Sequence, residues 1–398
     1  MKESIARVIR SRSAELFEKV RTYREEIHAN PELSYSEVQT QAYVSGKLDA
    51  LGIPYRTCAT TGLLALISSD KHTKDQPAFG LRSELDALPI QEQTGRPFQS
   101  RNDGVMHACG HDVHTAILLG AAEILNELKD ELLQPVKLFF QPGEEKNPGG
   151  ASLMIADGAL ENPTVSAMVA LHVYPEMETG KIGFRAGLYM ASCDEIYITV
   201  HGKGGHGAMP HTTVDPIAIG AETVVNLQQI VSRSCDPKIP CVLSFGHFEA
   251  LGATNVIPEK AILKGTFRTM DESWREKGLE LIERQAKAIS EMHGGTAEVE
   301  ISRGYPFLEN DAQLTWSVSA KAKEFFGKES VEELPIRLTS EDFSFYAQEV
   351  PVCFFRLGVR NENRGIVHGV HHPKFDIDDD ALITGMQAMA LAPFSQYA

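Results

Sequence analysis

Five short apolar runs, at 63–68, 78–83, 136–140, 167–172 and 352–357, constrain the fold more than any other feature. Each is mostly apolar without strict alternation, as strands are when both faces of their sheet are covered. Helical periodicity fills several of the intervals. One stretch covers 4–30 and stops where Asn30-Pro31 opposes continuation. A second covers 36–51, followed by Gly52 where a left-handed residue closes a helix. A third, 112–133, opens on Asp112, whose carboxylate is expected to cap free N–H groups, and a fourth covers 311–326. Strands alternating with helices predict an α/β domain with a mostly parallel sheet flanked by helices.

Between 189 and 301 the pattern changes. A half-exposed strand at 195–201 precedes a Gly-rich loop, a helix at 215–232, strands at 241–248 and 261–268, a helix at 272–292 and a strand at 297–302. That β-α-β-β-α-β order is the split ferredoxin-like α+β unit, here inserted into the larger domain, so the expected domains are 1–188 with 302–398, and 189–301. A chain of 398 residues is too long for one ordinary core, and its 42% hydrophobic content suffices for both. A net charge of -16 with no Lys/Arg cluster argues against a nucleic-acid or anionic-membrane partner. Met1-Lys2-Glu3-Ser4 leads into a charged segment unlike a signal peptide, and no apolar run is long enough for a bilayer, so a cytoplasmic protein is expected. The cysteines (58, 109, 193, 235, 241 and 353) are scattered without a C-x-x-C pair, which fits reduced thiols rather than a disulfide framework.

The residues that carry chemistry sit at the ends of the apolar runs. Arg82, Glu84 and Asp86 follow one run, Glu144-Glu145 another, and His172 closes a third; Cys109 and His111 precede a helix. In open α/β sheets the site lies at the carboxyl ends of the strands, where these residues can converge. Cys109, His111, Glu145, His172 and His371 are the candidate metal ligands. If one of them bridges two ions, each ion has three protein ligands and room for a water or substrate atom. Glu144 can then serve as general base, because adjacent residues after a strand point in different directions.

The motifs Gly80 to Ile90 (GLRSELDALPI), His107 to Asp112 (HACGHD), Gln141 to Glu145 (QPGEE), Gly202 to His211 (GKGGHGAMPH), Asn255 to Pro258 (NVIP), Ser340 to Phe343 (SEDF) and His371-His372-Pro373 resemble those of the M20 metallopeptidases. The match is to the branch of N-acyl-amino-acid amidohydrolases that includes hippurate and auxin-conjugate hydrolases, and it spans essentially the whole chain. The resemblance implies metal-dependent hydrolysis of the amide bond of N-acyl-L-amino acids or short peptides by two divalent ions, in a homodimer whose inserted domain is lid and dimerisation surface. By position, Cys109 bridges the ions, Glu144 is the base, Glu84 and Asp86 orient ligands from behind, His206 stabilises the oxyanion from the opposite subunit, and Asn255 and Arg268 bind substrate. A thiolate ligand leaves Zn, Mn, Co and Ni all admissible.

Four positions depart from the branch pattern: Glu84 for Asp, Gly143 for Ala, Val370 for Leu, and His372 for Ser or Asn. The doublet is resolved to His371, two positions before the proline. His107, His114 and His211 are expected to be structural or to support ligands. The alternatives are a dipeptidase or aminopeptidase of the same fold, a thiol amidase using Cys109 as nucleophile, and a non-catalytic metal- or peptide-binding protein. The acyl group and the amino acid are not specified by the sequence.

Overall fold

The computed structural model describes residues 2–395. The chain divides into two compact units: one runs to Tyr189 and includes Glu309–Ile336 and the stretch from Asp342, and the other comprises Met190–Leu308 and Arg337–Glu341.

The first unit is built on an eight-stranded sheet in the order Tyr55–Cys58, Gly62–Ile67, Val136–Gln141, Ala78–Glu84, Val165–Glu178, Val352–Arg360, Ile182–Phe184, Val331–Glu333. The four central strands run parallel, while the Tyr55–Cys58 and Gly62–Ile67 pair and the strand Ile182–Phe184 introduce antiparallel edges. Ala78–Glu84 and Val136–Gln141 are buried at every position, which is why they read as mostly apolar runs, with Arg82, Glu84 and Lys137 buried among the apolar side chains. Helix His111–Glu127 is buried on all sides from His111 to Ala122, lying among sheet and helices rather than on the surface. Gly120 lets it approach its neighbours: a Cβ there would meet Met386 Sδ at 2.4 Å and Val20 at 2.7 Å.

Three local expectations are corrected. The stretch 4–30 forms two helices, Glu3–Glu15 and Phe17–Ala29, joined at Leu16, where ψ is −6°. Asp112 is not a cap. The helix begins at His111 after Gly110 in the left-handed region with no capping side chain, because the Asp112 carboxylate is drawn instead to His28 and Arg24. His172 does not close its strand, which continues to Glu178 because Val352–Arg360 keeps pairing with it through Arg356↔His172, Leu357↔Val173 and Gly358↔Tyr174.

The second unit carries a four-stranded antiparallel sheet ordered Cys241–Glu249, Lys260–Thr269, Asp194–His201, Thr296–Arg303. This is the ferredoxin-like order. Ile196, Ile198 and Val200 alternate with more exposed positions and meet Ile219 and Leu227 of helix Pro216–Gln229 and Ile282 and Ala286 of helix Glu272–Met292 in one core. Both helices begin on capping aspartates: Asp215 accepts from Ile217 and Ala218 N–H, Asp271 from Trp274 N–H. Among the described residues, no helix is long and apolar enough to cross a membrane.

Candidate metal centre

Three features of the first unit bring the candidate ligands together. Cys109 and His111 flank the turn at Gly110 that starts the buried helix. Glu144 and Glu145 lie three and four residues past the end of the strand Val136–Gln141. His371, held at a φ of 63°, donates its backbone N–H to Ala108 O at 2.7 Å, which docks its loop against the Cys109 turn. Cys109 Sγ lies 3.3 Å from His172 Nε2, His371 Nε2 lies 3.2 Å from Glu145 Oε1, and His111 Nε2 is 4.0 Å from Glu144 Oε2.

Two groups of ligand atoms share the sulfur. Cys109, His111 and His172 form one and Cys109, Glu145 and His371 the other, with atoms in each group within 4.8 Å of one another. The imidazoles are oriented for ligation. His111 Nδ1 faces Asp86, 2.8 Å from its carbonyl and 3.1 Å from its carboxylate, and His172 Nδ1 donates to Val173 O at 2.8 Å. Each Nδ1–H is thereby engaged and each Nε2 lone pair is directed at the cluster.

The residues present fit a divalent cation. His111 Nε2 and Glu145 Oε1 are buried with no hydrogen-bond partner; the contact of Glu145 with His371 is close but not aligned as a hydrogen bond. Buried polar atoms without partners are costly unless another ligand satisfies them. Burial would lower His111, but its hydrogen bond to Asp86 and the charges of Glu84, Asp86 and Glu145 lift it to about 10, so this cluster calls for positive charge. Burial, with Arg356 and His114, holds His172 well below its ordinary value and keeps it neutral. Burial, reinforced by Glu145 and Glu144, pushes the Cys109 thiol well above its usual range. That is the reverse of what a thiolate nucleophile needs, and a cation is what would make the sulfur a thiolate.

Beneath the ligands runs a polar chain that motif reading did not assemble. Arg82 donates to Gln141 at 3.0 Å, to Asp342 at 2.6 Å and to Glu84, all within the fully buried end of the sheet. Burial alone would raise the Glu84 carboxyl, but Arg82 and His114 overcome it and hold it well below the usual carboxylate range. Glu84 Oε2 engages His114 Nδ1 at 2.8 Å, and His114 Nε2 accepts from Val173 N–H at 3.0 Å. Val173 is the residue whose carbonyl orients His172. Glu84 thus reaches the cluster through His114, whereas Asp86 touches His111 directly and also accepts from Glu145 N–H at 2.9 Å. A signal for this chain was present in the Arg82-x-Glu84 alternation at the strand end, which places the two residues on one face.

The other site residues from the sequence lie in the second unit. His206 and Val256 pair across the short ribbon Gly205–His206 and Val256–Ile257, which sets Asn255 next to His206; Asn255 O also accepts from Gly207 N–H at 2.8 Å. Ala208 N–H donates to His206 Nδ1 at 3.1 Å, so the ring proton is on Nε2. Arg268 is not in this ribbon: it pairs with Val242 in the larger sheet and donates to Leu338 O at 3.0 Å.

The model of peptidase family M20/M25/M40 matches residues 80–393. An N-acyl-L-amino acid amidohydrolase of Geobacillus stearothermophilus is 41% identical over 312 residues, 78% of this chain and 82% of that protein. Thermostable carboxypeptidase 2 of Saccharolobus solfataricus is 38% identical over 371 residues, 92% and 93% of the two chains. Among solved structures, a dinuclear metal-binding M20 peptidase of Bacillus subtilis superposes with a TM-score of 0.80 at 32% identity, covering 96% of this chain and 98% of that one.

Proposed function

The chain belongs to peptidase family M20/M25/M40, and from that premise we propose that this metal-dependent hydrolase cleaves the amide bond of N-acyl-L-amino acids, releasing an acid and a free amino acid. The observation that carries the reading is the sulfur of Cys109, common to two groups of three ligand atoms with Glu144 beside them. Such a set suits two divalent ions, Zn, Mn, Co or Ni, held by Cys109, His111, Glu145, His172 and His371. The resemblance of the chain both to an amidohydrolase of N-acyl-L-amino acids and to a carboxypeptidase is consistent with this bond.

When bound, the ions polarise the scissile carbonyl and lower the pKa of water at the site from about 15.7 towards about 7. Glu144 takes the proton of the attacking water on a carboxylate oxygen and returns it to the departing amine nitrogen, so the amine leaves neutral. Asp86 fixes His111 and, through Glu145 N–H, the start of the acidic loop. The free carboxylate of the substrate is assigned to Asn255 and Arg268, and the developing oxyanion to the Nε2–H of His206 from the partner subunit of a homodimer, with the second unit as lid and dimerisation surface. The six cysteines are all free, which favours a reducing, cytoplasmic location.

The test is hydrolysis of a panel of N-acyl amino acids and dipeptides by protein stripped with chelator and reloaded separately with Zn, Mn, Co or Ni. Activity should vanish on stripping, return with metal and favour acylated amino acids over dipeptides. Activity indifferent to chelator but lost on alkylation would replace this reading with a thiol mechanism; metal binding without turnover on any substrate would replace it with a binding protein.

A further inference from the structure

The turn at 34–37 lies outside the stretch matched by the family model and carries no candidate ligand, yet it grips the acidic loop at several points. Loop 143–149 connects the strand Val136–Gln141 to helix Gly150–Ala156 and carries both Glu144 and Glu145. Tyr35 Oη donates to Lys146 O at 2.5 Å and accepts from Gly149 N–H at 3.0 Å, so one hydroxyl pins the far half of the loop. Glu37 Oε1 accepts from Gly143 N–H at 2.8 Å and from Tyr35 N–H at 2.9 Å, tying the near end to the same turn. Glu37 is itself fixed, fully buried with its other oxygen accepting from Thr61 Oγ1 at 2.6 Å. The fit between the two segments is steric as well as polar. A Cβ on Gly143 would stand 2.2 Å from Tyr35 Cε1, so the ring occupies the space a side chain at 143 would need. Tyr35 adopts a φ of 68°, a conformation that a non-glycine residue keeps only where its surroundings over-determine it.

We propose that Tyr35 is a positioning residue for Glu144: its ring and hydroxyl, braced by Glu37, hold loop 143–149 in the one conformation that presents the Glu144 carboxylate beside His111. This rests on the reading of Glu144 as general base. A base must lie within hydrogen-bond reach of the proton it takes, and a misplacement of about 1 Å can cost a factor on the order of 100 in rate. Tyr35 meets Lys146 O, Gly149 N–H and the face of Gly143, while Glu145 on the same loop keeps its own anchor through its N–H to Asp86, so the effect of Tyr35 falls first on the geometry of Glu144.

The experiment is a double-mutant cycle in the metal-loaded enzyme with Tyr35→Phe, which keeps the ring and removes the hydroxyl, and Glu144→Gln. Tyr35→Phe should lower kcat by about 10- to 100-fold with KM within about twofold, leave metal content unchanged, and speed amide hydrogen exchange in loop 143–149. In the Glu144→Gln background it should cost nothing further. Gly143→Ala, which drives the ring away from the other side, should lower kcat in the same way and covers the case in which Tyr35→Phe fails to fold. Unchanged kcat in both variants overturns the proposal, as does an equal further loss in the Glu144→Gln background, or loss of metal in place of kcat. Full activity in Glu144→Gln alone would instead remove the general base on which the proposal stands, whatever Tyr35 does.

Discussion

His28 should make the stability of the first unit fall as pH rises above neutrality. Its imidazole, 2% exposed, has Asp112 Oδ2 2.8 Å from Nδ1 and Glu92 Oε1 3.3 Å from Nε2, with Arg24, His107 and the edge of Phe98 around it. Burial alone would lower its pKa, but the charge and hydrogen bond of Asp112 and the hydrogen bond of Glu92 overcome that and lift it from 6.5 to about 9. At 1.36 kcal/mol per tenfold change in proton affinity, the rise corresponds to about 3 kcal/mol. Because the folded value is the raised one, this stabilisation is complete below about pH 6.5 and is lost as pH climbs through about 9. Lys137 works in the opposite sense. Burial lowers it to about 8, so between there and 10.5 the unfolded chain holds a proton that the folded chain has released, and stability rises with pH. The net slope of the wild type is therefore not the measure; the gap between wild type and His28→Gln is. Urea unfolding of the metal-saturated protein at a fixed protein concentration should give a gap of about 3 kcal/mol at pH 6, closing by about pH 10. A gap that stays constant across this range would show that His28 folds as a neutral imidazole, and the argument from Asp112 and Glu92 would fail.

Glu144→Gln should retain both ions by elemental analysis and lose a factor of about 100 to 10,000 in kcat, the usual worth of a general base. Cys109→Ser replaces the shared sulfur by a hydroxyl that does not ionise near neutral pH, so metal content after dialysis should fall and excess metal should restore little activity. Arg82→Met leaves Glu84 and Asp342 buried without their common cation, which should cost about 3–5 kcal/mol in chemical unfolding; an unchanged midpoint would mean that those carboxyls take up protons at little cost.

What could be read from the sequence, and what could not, divides along one physical line. The central strands were legible because Ala78–Glu84 and Val136–Gln141 are buried on both faces, so their burial is written into consecutive residues. The clustering of Cys109 with His111 was legible because two residues at a helix start are held in one turn, and the ferredoxin-like order because the alternation at 195–201 and the helical periodicity at 215–232 and 272–292 are local patterns. Asp112 was misread for the complementary reason. An aspartate at the start of a helix caps it unless a buried cation competes, and the competitors, Arg24 and His28, lie 88 and 84 residues away in a helix whose own pattern gives no hint of the pairing. Apolar continuity places His172 at a strand end because it cannot say where pairing stops; that is decided by the partner strand Val352–Arg360. Tyr35 is the extreme case. Nothing in Leu33-Ser34-Tyr35-Ser36 calls for a left-handed residue, and the conformation is held by contacts with Glu37, Lys146, Gly149 and the bare face of Gly143. The candidate ligands are therefore named from short local motifs. The aim of those ligands is set by charges and contacts far apart in sequence, and it is there that substitutions away from the motifs should alter the rate without altering the metal.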